Sequence, residues 1–196
     1  MTRIFLKTGR AQGFTLIEMM VSVSIFAMVM LVATTALLSI VDADRKAQNE
    51  QISFANLDFA IESISRAARV GSAFRCITGG FSNVNIEQPN DCSGGGTAFA
   101  FEPYGGSPGN PNDQYVYRLS GTQIQRSVDG GVNFVPITAP QIVIQGLTFY
   151  VRGANEAAKN KQPIVLMSVY GYAGTTTRSQ VNFNIETSIS QRLLDI

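Results

Sequence analysis

Residues 13–41 read GFTLIEMMVSVSIFAMVMLVATTALLSIV. From Met19 to Val41 this stretch has 23 residues without a charge, above the ~20 that cross a hydrocarbon core as a helix. One carboxylate, Glu18, stands at its mouth. Arg3, Lys7 and Arg10 precede it and no acidic residue does. The positive-inside rule therefore keeps the N-terminus in the cytoplasm and sends the rest of the chain across. A cleaved secretory signal is the competing reading, but its apolar region would be ~7–15 residues and end at a small-x-small site. Ala33-Thr-Thr-Ala36 offers small residues, yet the helical pattern runs straight through them.

Working outward, residues 42–71 read DADRKAQNEQISFANLDFAIESISRAARVG, with no proline and no glycine before Gly71. Phe54, Leu57, Ile61, Ile64 and Ala68 recur at steps of three and four, one apolar stripe on a helix. Asp58, Glu62, Arg66 and Arg69 lie off the stripe, with Glu62 to Arg66 in the favourable i,i+4 order. Gly71 suits a C-cap. A single helix from about Phe14 to Val70 would be roughly 85 Å long. Its first half needs lipid or other helices, and its second half needs a domain packed on one side.

After Cys92 the texture changes to glycine, proline and asparagine turns between alternating apolar runs. Strands are expected at 97–102, 114–119, 122–128, 132–137, 142–153, 163–173 and 181–190, with residues 114–137 forming a meander. The last run alternates Val181, Phe183 and Ile185 with Asn182, Asn184 and Glu186. One buried and one wet face suit an antiparallel sheet with the 54–68 stripe as its cover. The fold class expected is α+β: a long N-terminal helix, membrane-spanning in its first half, on a C-terminal antiparallel sheet.

The whole chain has 196 residues, 45% hydrophobic and 15% charged, with a formal net charge of +1. Near-neutral charge argues against a nucleic-acid partner. No histidine is present, which removes Ser-His-Asp and Cys-His catalysis and imidazole zinc sites. Cys76 and Cys92 flank a turn-rich segment. Outside the cytosol they read as a disulfide; the alternative is two unrelated buried thiols. Glu102, Asp113 and Asp129 lie in loops or at strand ends without calcium-loop spacing, and are expected to be solvated turn residues. The glycine clusters at 94–96 and 130–131 do not continue as a phosphate loop. No metal and no cofactor is expected.

Gly13-Phe14-Thr15-Leu16-Ile17-Glu18, after a basic leader and before a membrane-length helix, resembles the type IV prepilin signature of pilins and pseudopilins. The resemblance implies a pilin-like plan: leader 1–13, membrane and assembly half-helix 14–41, amphipathic half-helix 42–70, and a disulfide loop with sheet at 71–196. It implies that a prepilin peptidase cuts between Gly13 and Phe14 and that Phe14 is N-methylated. Glu18 then meets the amino terminus of a neighbouring pilin or pseudopilin subunit, setting register as the helices bundle. The localisation implied is the inner membrane, with the C-terminal domain exported, and then a filament outside it. The stem has Thr35 where the resemblance to major pilins would place a proline, so a straighter stem is expected; this leans toward a minor pilin or minor pseudopilin. An uncleaved single-pass anchor carrying a surface binding domain is the alternative. A secreted enzyme is the weakest reading, with no nucleophile constellation, so no enzymatic activity is expected.

Overall fold

One helix, α1, runs without interruption from Leu16 to Val70 in the computed structural model. The structure describes residues 13–79, 88–107, 109–155, 162–174 and 180–192. The leader cations Arg3, Lys7 and Arg10 therefore lie outside the described residues. No proline or glycine interrupts the helix, so no turn loses its hydrogen-bond donor and none carries excess backbone freedom.

The chain divides into two units, the first ending at Asp44 and the second beginning at Arg45. In the first, the described residues are the start of α1, and every side chain in it is exposed. Leu16, Ile17, Met28 and Leu31 are each more than two-thirds exposed. This is the part of α1 that is long and apolar enough to cross a membrane.

Among its described residues the second unit holds the rest of α1 and nine strands. β1 (Ser72–Ile77), β3 (Ala98–Glu102), β4 (Tyr115–Ser120), β5 (Gln123–Ser127) and β6 (Val135–Pro136) form one antiparallel sheet in the order β1-β3-β4-β5-β6. β2 (Cys92–Gly96), β7 (Ile142–Arg152), β8 (Ile164–Ala173) and β9 (Val181–Ser190) form a second, in the order β2-β7-β8-β9. The 114–137 meander appears as β4-β5-β6, although β6 is only two residues long. The architecture is α+β and pilin-like, with two sheets where one was expected.

The division follows from two strands that carry no readable alternation. β2 is CSGGG, and β1 is irregular, with a register shift between Ser72 and Arg75. Ala73 there has φ of 52°, a left-handed conformation unusual for a residue with a side chain. β8 buries alternate residues, whereas all five residues of β3 are buried. β3 is covered on both faces, which an exposed-face sheet does not allow.

The docking face of α1 is Ser53, Leu57, Ala60, Ile64, Ser65 and Ala68. Leu57, Ile64 and Ala68 were expected there; Phe54 is 40% exposed and lies off it, and Ile61 is half-buried at its margin. The face is rotated toward small residues. Ser53, Ala60, Ser65 and Ala68 share it with Leu57 and Ile64, and each of those two larger chains contributes about 1.5–3 kcal/mol by burial. Gly71, just past the helix, is required by close packing. A Cβ on it would stand 2.4 Å from Phe101 Cδ2 and 2.9 Å from the Glu102 carbonyl oxygen. Its φ is not left-handed, so close packing on β3, rather than a left-handed cap, is what demands glycine. The helix end is closed from afar: the Arg192 N–H, just after β9, donates to the Arg69 carbonyl at 2.7 Å.

The core between these elements is aromatic. Phe74 meets Phe99 edge-on at 5.5 Å, and Phe99 stacks on Phe149 at 5.4 Å, joining the two sheets. Leu57, Ile64 and Ala68 of α1 belong to the same buried cluster. Cys76 and Cys92 are bonded as a disulfide, so the thiol alternative falls away. The bond joins β1 to β2, and hence one sheet to the other. Gly96 makes room for it, since a Cβ there would lie 2.1 Å from Cys76 Sγ.

Closing a loop over a sequence separation of 16 stabilises by about 3 kcal/mol in the chain-entropy model. A Cys76→Ser, Cys92→Ser double variant is expected to lose stability of about that size in denaturant unfolding, while keeping its far-ultraviolet circular dichroism. Unchanged stability would show that the sheets hold together without the bond.

Candidate functional site

The sequence places the candidate site where the charge-free segment begins. Gly13, Phe14 and Thr15 are not helical, and α1 starts at Leu16. Gly13 is exposed, with open space around the position a side chain would take. The Gly13–Phe14 peptide bond therefore sits in irregular backbone just ahead of the helix. Phe14 is 78% exposed.

Thr15 is the N-cap. Its carbonyl accepts the first helical bond from the Met19 N–H at 3.2 Å, and its Oγ1 accepts the Glu18 N–H at 3.3 Å. Threonine followed three residues later by glutamate is the capping-box spacing. Glu18 also places its negative charge in the first turn, where the helix dipole is positive. The sequence reading missed this local role, although T-x-x-E before an apolar run is its usual signal. Among the described residues no cation lies within salt-bridge distance of Glu18, whereas further along α1 Arg66 pairs with Glu62 at 3.4 Å.

Four hydroxyl groups in the apolar segment, those of Ser22, Ser24, Thr34 and Thr35, are satisfied within the helix. Ser22 Oγ donates to the Glu18 carbonyl at 2.7 Å and Ser24 Oγ to that of Met20 at 2.8 Å. Thr34 Oγ1 donates to the Met30 carbonyl, and Thr35 Oγ1 to that of Val32 at 2.8 Å. These bonds remove the unpaired donors that would disfavour transfer into hydrocarbon. Position 35 thus holds a back-bonded threonine in an unbroken helix.

The other residues singled out by sequence lie in the second unit. Asp129 is a turn residue as expected. Ser127 Oγ and Asn133 donate to its carboxylate, which lowers its pKa to about 2. Glu102 is not a solvated turn residue. It is 4% exposed, and its pKa is raised by burial first and by the charge of Asp113 second. The error has a plain cause, since Glu102 closes a strand buried on both faces. Of the tyrosines, Tyr117 is fully buried, with its hydroxyl pushed up to about 12 by desolvation, whereas Tyr104 and Tyr170 are exposed.

Residues 9–34 match the family model of the prokaryotic N-terminal methylation motif. The match takes in the irregular Gly13–Thr15 segment, the cap, Glu18 and the first half of the apolar run. The chain carries the type IV prepilin signature. No curated protein and no solved structure matches the chain. The prepilin motif, the candidate membrane helix and the Cys76–Cys92 bond thus occur together in one α+β chain.

If Thr15 caps the helix, Thr15→Ala should weaken its first turn by about 1 kcal/mol. Amide hydrogen exchange of the full chain in detergent micelles reads this directly, with faster exchange expected at Met19 and Met20 and no change at Ile64. Equal exchange in both proteins would remove the capping role.

Proposed function

We propose that this prepilin-type chain is a structural subunit of a type IV pilus or a type II secretion pseudopilus, processed by prepilin peptidase and assembled through α1. It serves as a minor component and carries out no catalysis. The observation that supports this best is the coincidence of the methylation motif with a half-helix that no described part of the chain covers. A membrane satisfies that surface for a single copy, and a bundle of like helices satisfies it after extraction from the membrane.

In this reading the peptidase cuts after Gly13, where the backbone is irregular and free of neighbouring side chains. Phe14 then bears a new amino group one helical turn from Glu18. A carboxylate near the edge of a bilayer is tolerated at moderate cost, and it is held best by an opposite charge. The amine of an adjacent subunit supplies that charge and so fixes the axial register of otherwise slippery apolar helices. The chain resides first in the inner membrane with its sheets exported.

A specific observation supports the alternative, an uncleaved anchor bearing a surface binding domain. Glu18 is the acidic residue of the first turn of α1, where its charge meets the positive end of the helix dipole without a second subunit. Glutamine tests charge pairing, because it keeps the side chain's size but carries no charge.

Two outcomes are expected. Intact mass of membrane-extracted protein should begin at N-methylated Phe14; a chain still starting at Met1 would establish the anchor. Glu18→Ala and Glu18→Gln should both insert into the membrane and both fall at least tenfold in filament incorporation. Full incorporation of Glu18→Gln would reject charge pairing.

A further inference from the structure

The β3–β4 connection holds an arrangement that filament assembly does not use. Glu102, the last residue of β3, is 4% exposed, and neither of its carboxylate oxygens completes a hydrogen bond. Gln114, at the entry to β4, is 1% exposed. Its amide approaches the Glu102 carboxylate, while its own Oε1 meets no donor. Asp113 is electrostatically coupled to Glu102. Its Oδ1 is buried without a partner, and its Oδ2 accepts the Ser107 N–H at 2.9 Å.

The turn after β3 lies over this group. Gly106 sits so close that a Cβ on it would stand 2.1 Å from Glu102 Oε1, and its N–H is already given to the Pro103 carbonyl at 3.0 Å. Four buried side-chain oxygens thus complete no hydrogen bond, both of Glu102, one of Asp113 and one of Gln114, and Gln114 is the side chain that turns an amide donor toward Glu102. Buried acceptors without donors are rare and unfavourable, and two neighbouring carboxylates add mutual repulsion.

Two species relieve such a cluster, a proton or a cation. A single proton gives one oxygen a bond and leaves the other acceptors bare. A divalent cation engages several at once and cancels both charges. The donors are all oxygens, from carboxylates and an amide, on an irregular glycine-bearing turn. That chemistry suits calcium, which takes 6–8 oxygen ligands in flexible geometry, better than magnesium, which demands a near-ideal octahedron and keeps its waters. Soft metals are not favoured by such a set.

We propose that Glu102, Asp113 and Gln114 form a calcium-type cation site that ties the 103–107 turn to the adjoining ends of β3 and β4. The site is independent of cleavage at Gly13 and of Glu18. Asp129 is the internal contrast, a carboxylate saturated by Ser127 and Asn133 and left with no need of a metal.

The test is equilibrium dialysis of the full chain in detergent micelles against calcium chloride, with thermal unfolding in calcium, magnesium or EDTA. Wild type is expected to bind one calcium per chain, and Glu102→Gln and Asp113→Asn to bind at least tenfold more weakly. Asp129→Asn should bind as wild type does. Calcium should raise the Tm of wild type but not of Glu102→Gln. In EDTA at neutral pH, Glu102→Gln should melt no lower than wild type, because it removes a buried charge. Should Glu102→Gln fail to fold, wild type and Asp113→Asn decide the matter alone.

Absence of calcium binding at millimolar concentration overturns the proposal, as does equal binding by wild type and both variants. Magnesium binding as tight as calcium overturns the choice of ion. A proton-only site has its own signature. The raised folded pKa of Glu102 makes its contribution complete below its ordinary value and lost as pH rises through the folded one. A Tm that falls across that window regardless of calcium would show that a proton, not a metal, occupies the cluster.

Discussion

An apolar helical surface in water has to be covered, and among the described residues the first unit offers nothing to cover it. The described side chains from Gly13 through Gln48 are all exposed, and those between Met19 and Val41 carry no charge. The hydroxyls of Ser22, Ser24, Thr34 and Thr35 bond back to helix carbonyls. Apolar area and the charge on Glu18 still need a partner. Lipid meets the first demand, neighbouring helices meet it equally well, and an amine meets the second. These two requirements are what make processing and assembly a coherent physical reading of the methylation motif.

The second unit solves a different problem, how to pack half of the same helix onto two sheets at once. Its answer is small residues at the contacts. Ser53, Ala60, Ser65 and Ala68 are buried on the helix beside Leu57 and Ile64, Gly71 lets β3 pass the helix end, and Gly96 leaves space for the Cys76–Cys92 bond. Phenylalanines from both sheets fill the centre, with Leu57 and Ile64 inserted among them. Glycine at positions 71 and 96 is thus a packing requirement rather than a demand for unusual dihedral angles.

Much of this was legible beforehand, and the misses share a cause. The continuous helix, the long strands β7, β8 and β9 and the 114–137 meander are written in hydrophobic period, which is local. β1 and β2 escaped because Ser72–Ile77 is bulged and Cys92–Gly96 is mostly glycine; their pairing comes from distant partners and a cross-link. The helical stripe was placed one step off at Phe54 because close packing selects small residues, which hydrophobicity counts pass over. At the N-terminal site the motif and Glu18 were plain, whereas the cap was overlooked beside the larger question of the charge. Glu102 was misjudged because its position at a strand end says nothing about the turn that lies over it.

The connections between α1 and the sheets also set how the molecule carries a load. A pull along the stem passes through Gly71 into β1 and, at Cys76, crosses by the sulfur bridge into β2, so that both sheets are engaged through covalent links. At the opposite end of the chain, Arg192 grips the last helical turn through the Arg69 carbonyl. Tension is then shared between two attachment points instead of peeling one edge strand. For a subunit drawn through a membrane by its stem, that wiring favours moving the head intact over unravelling it.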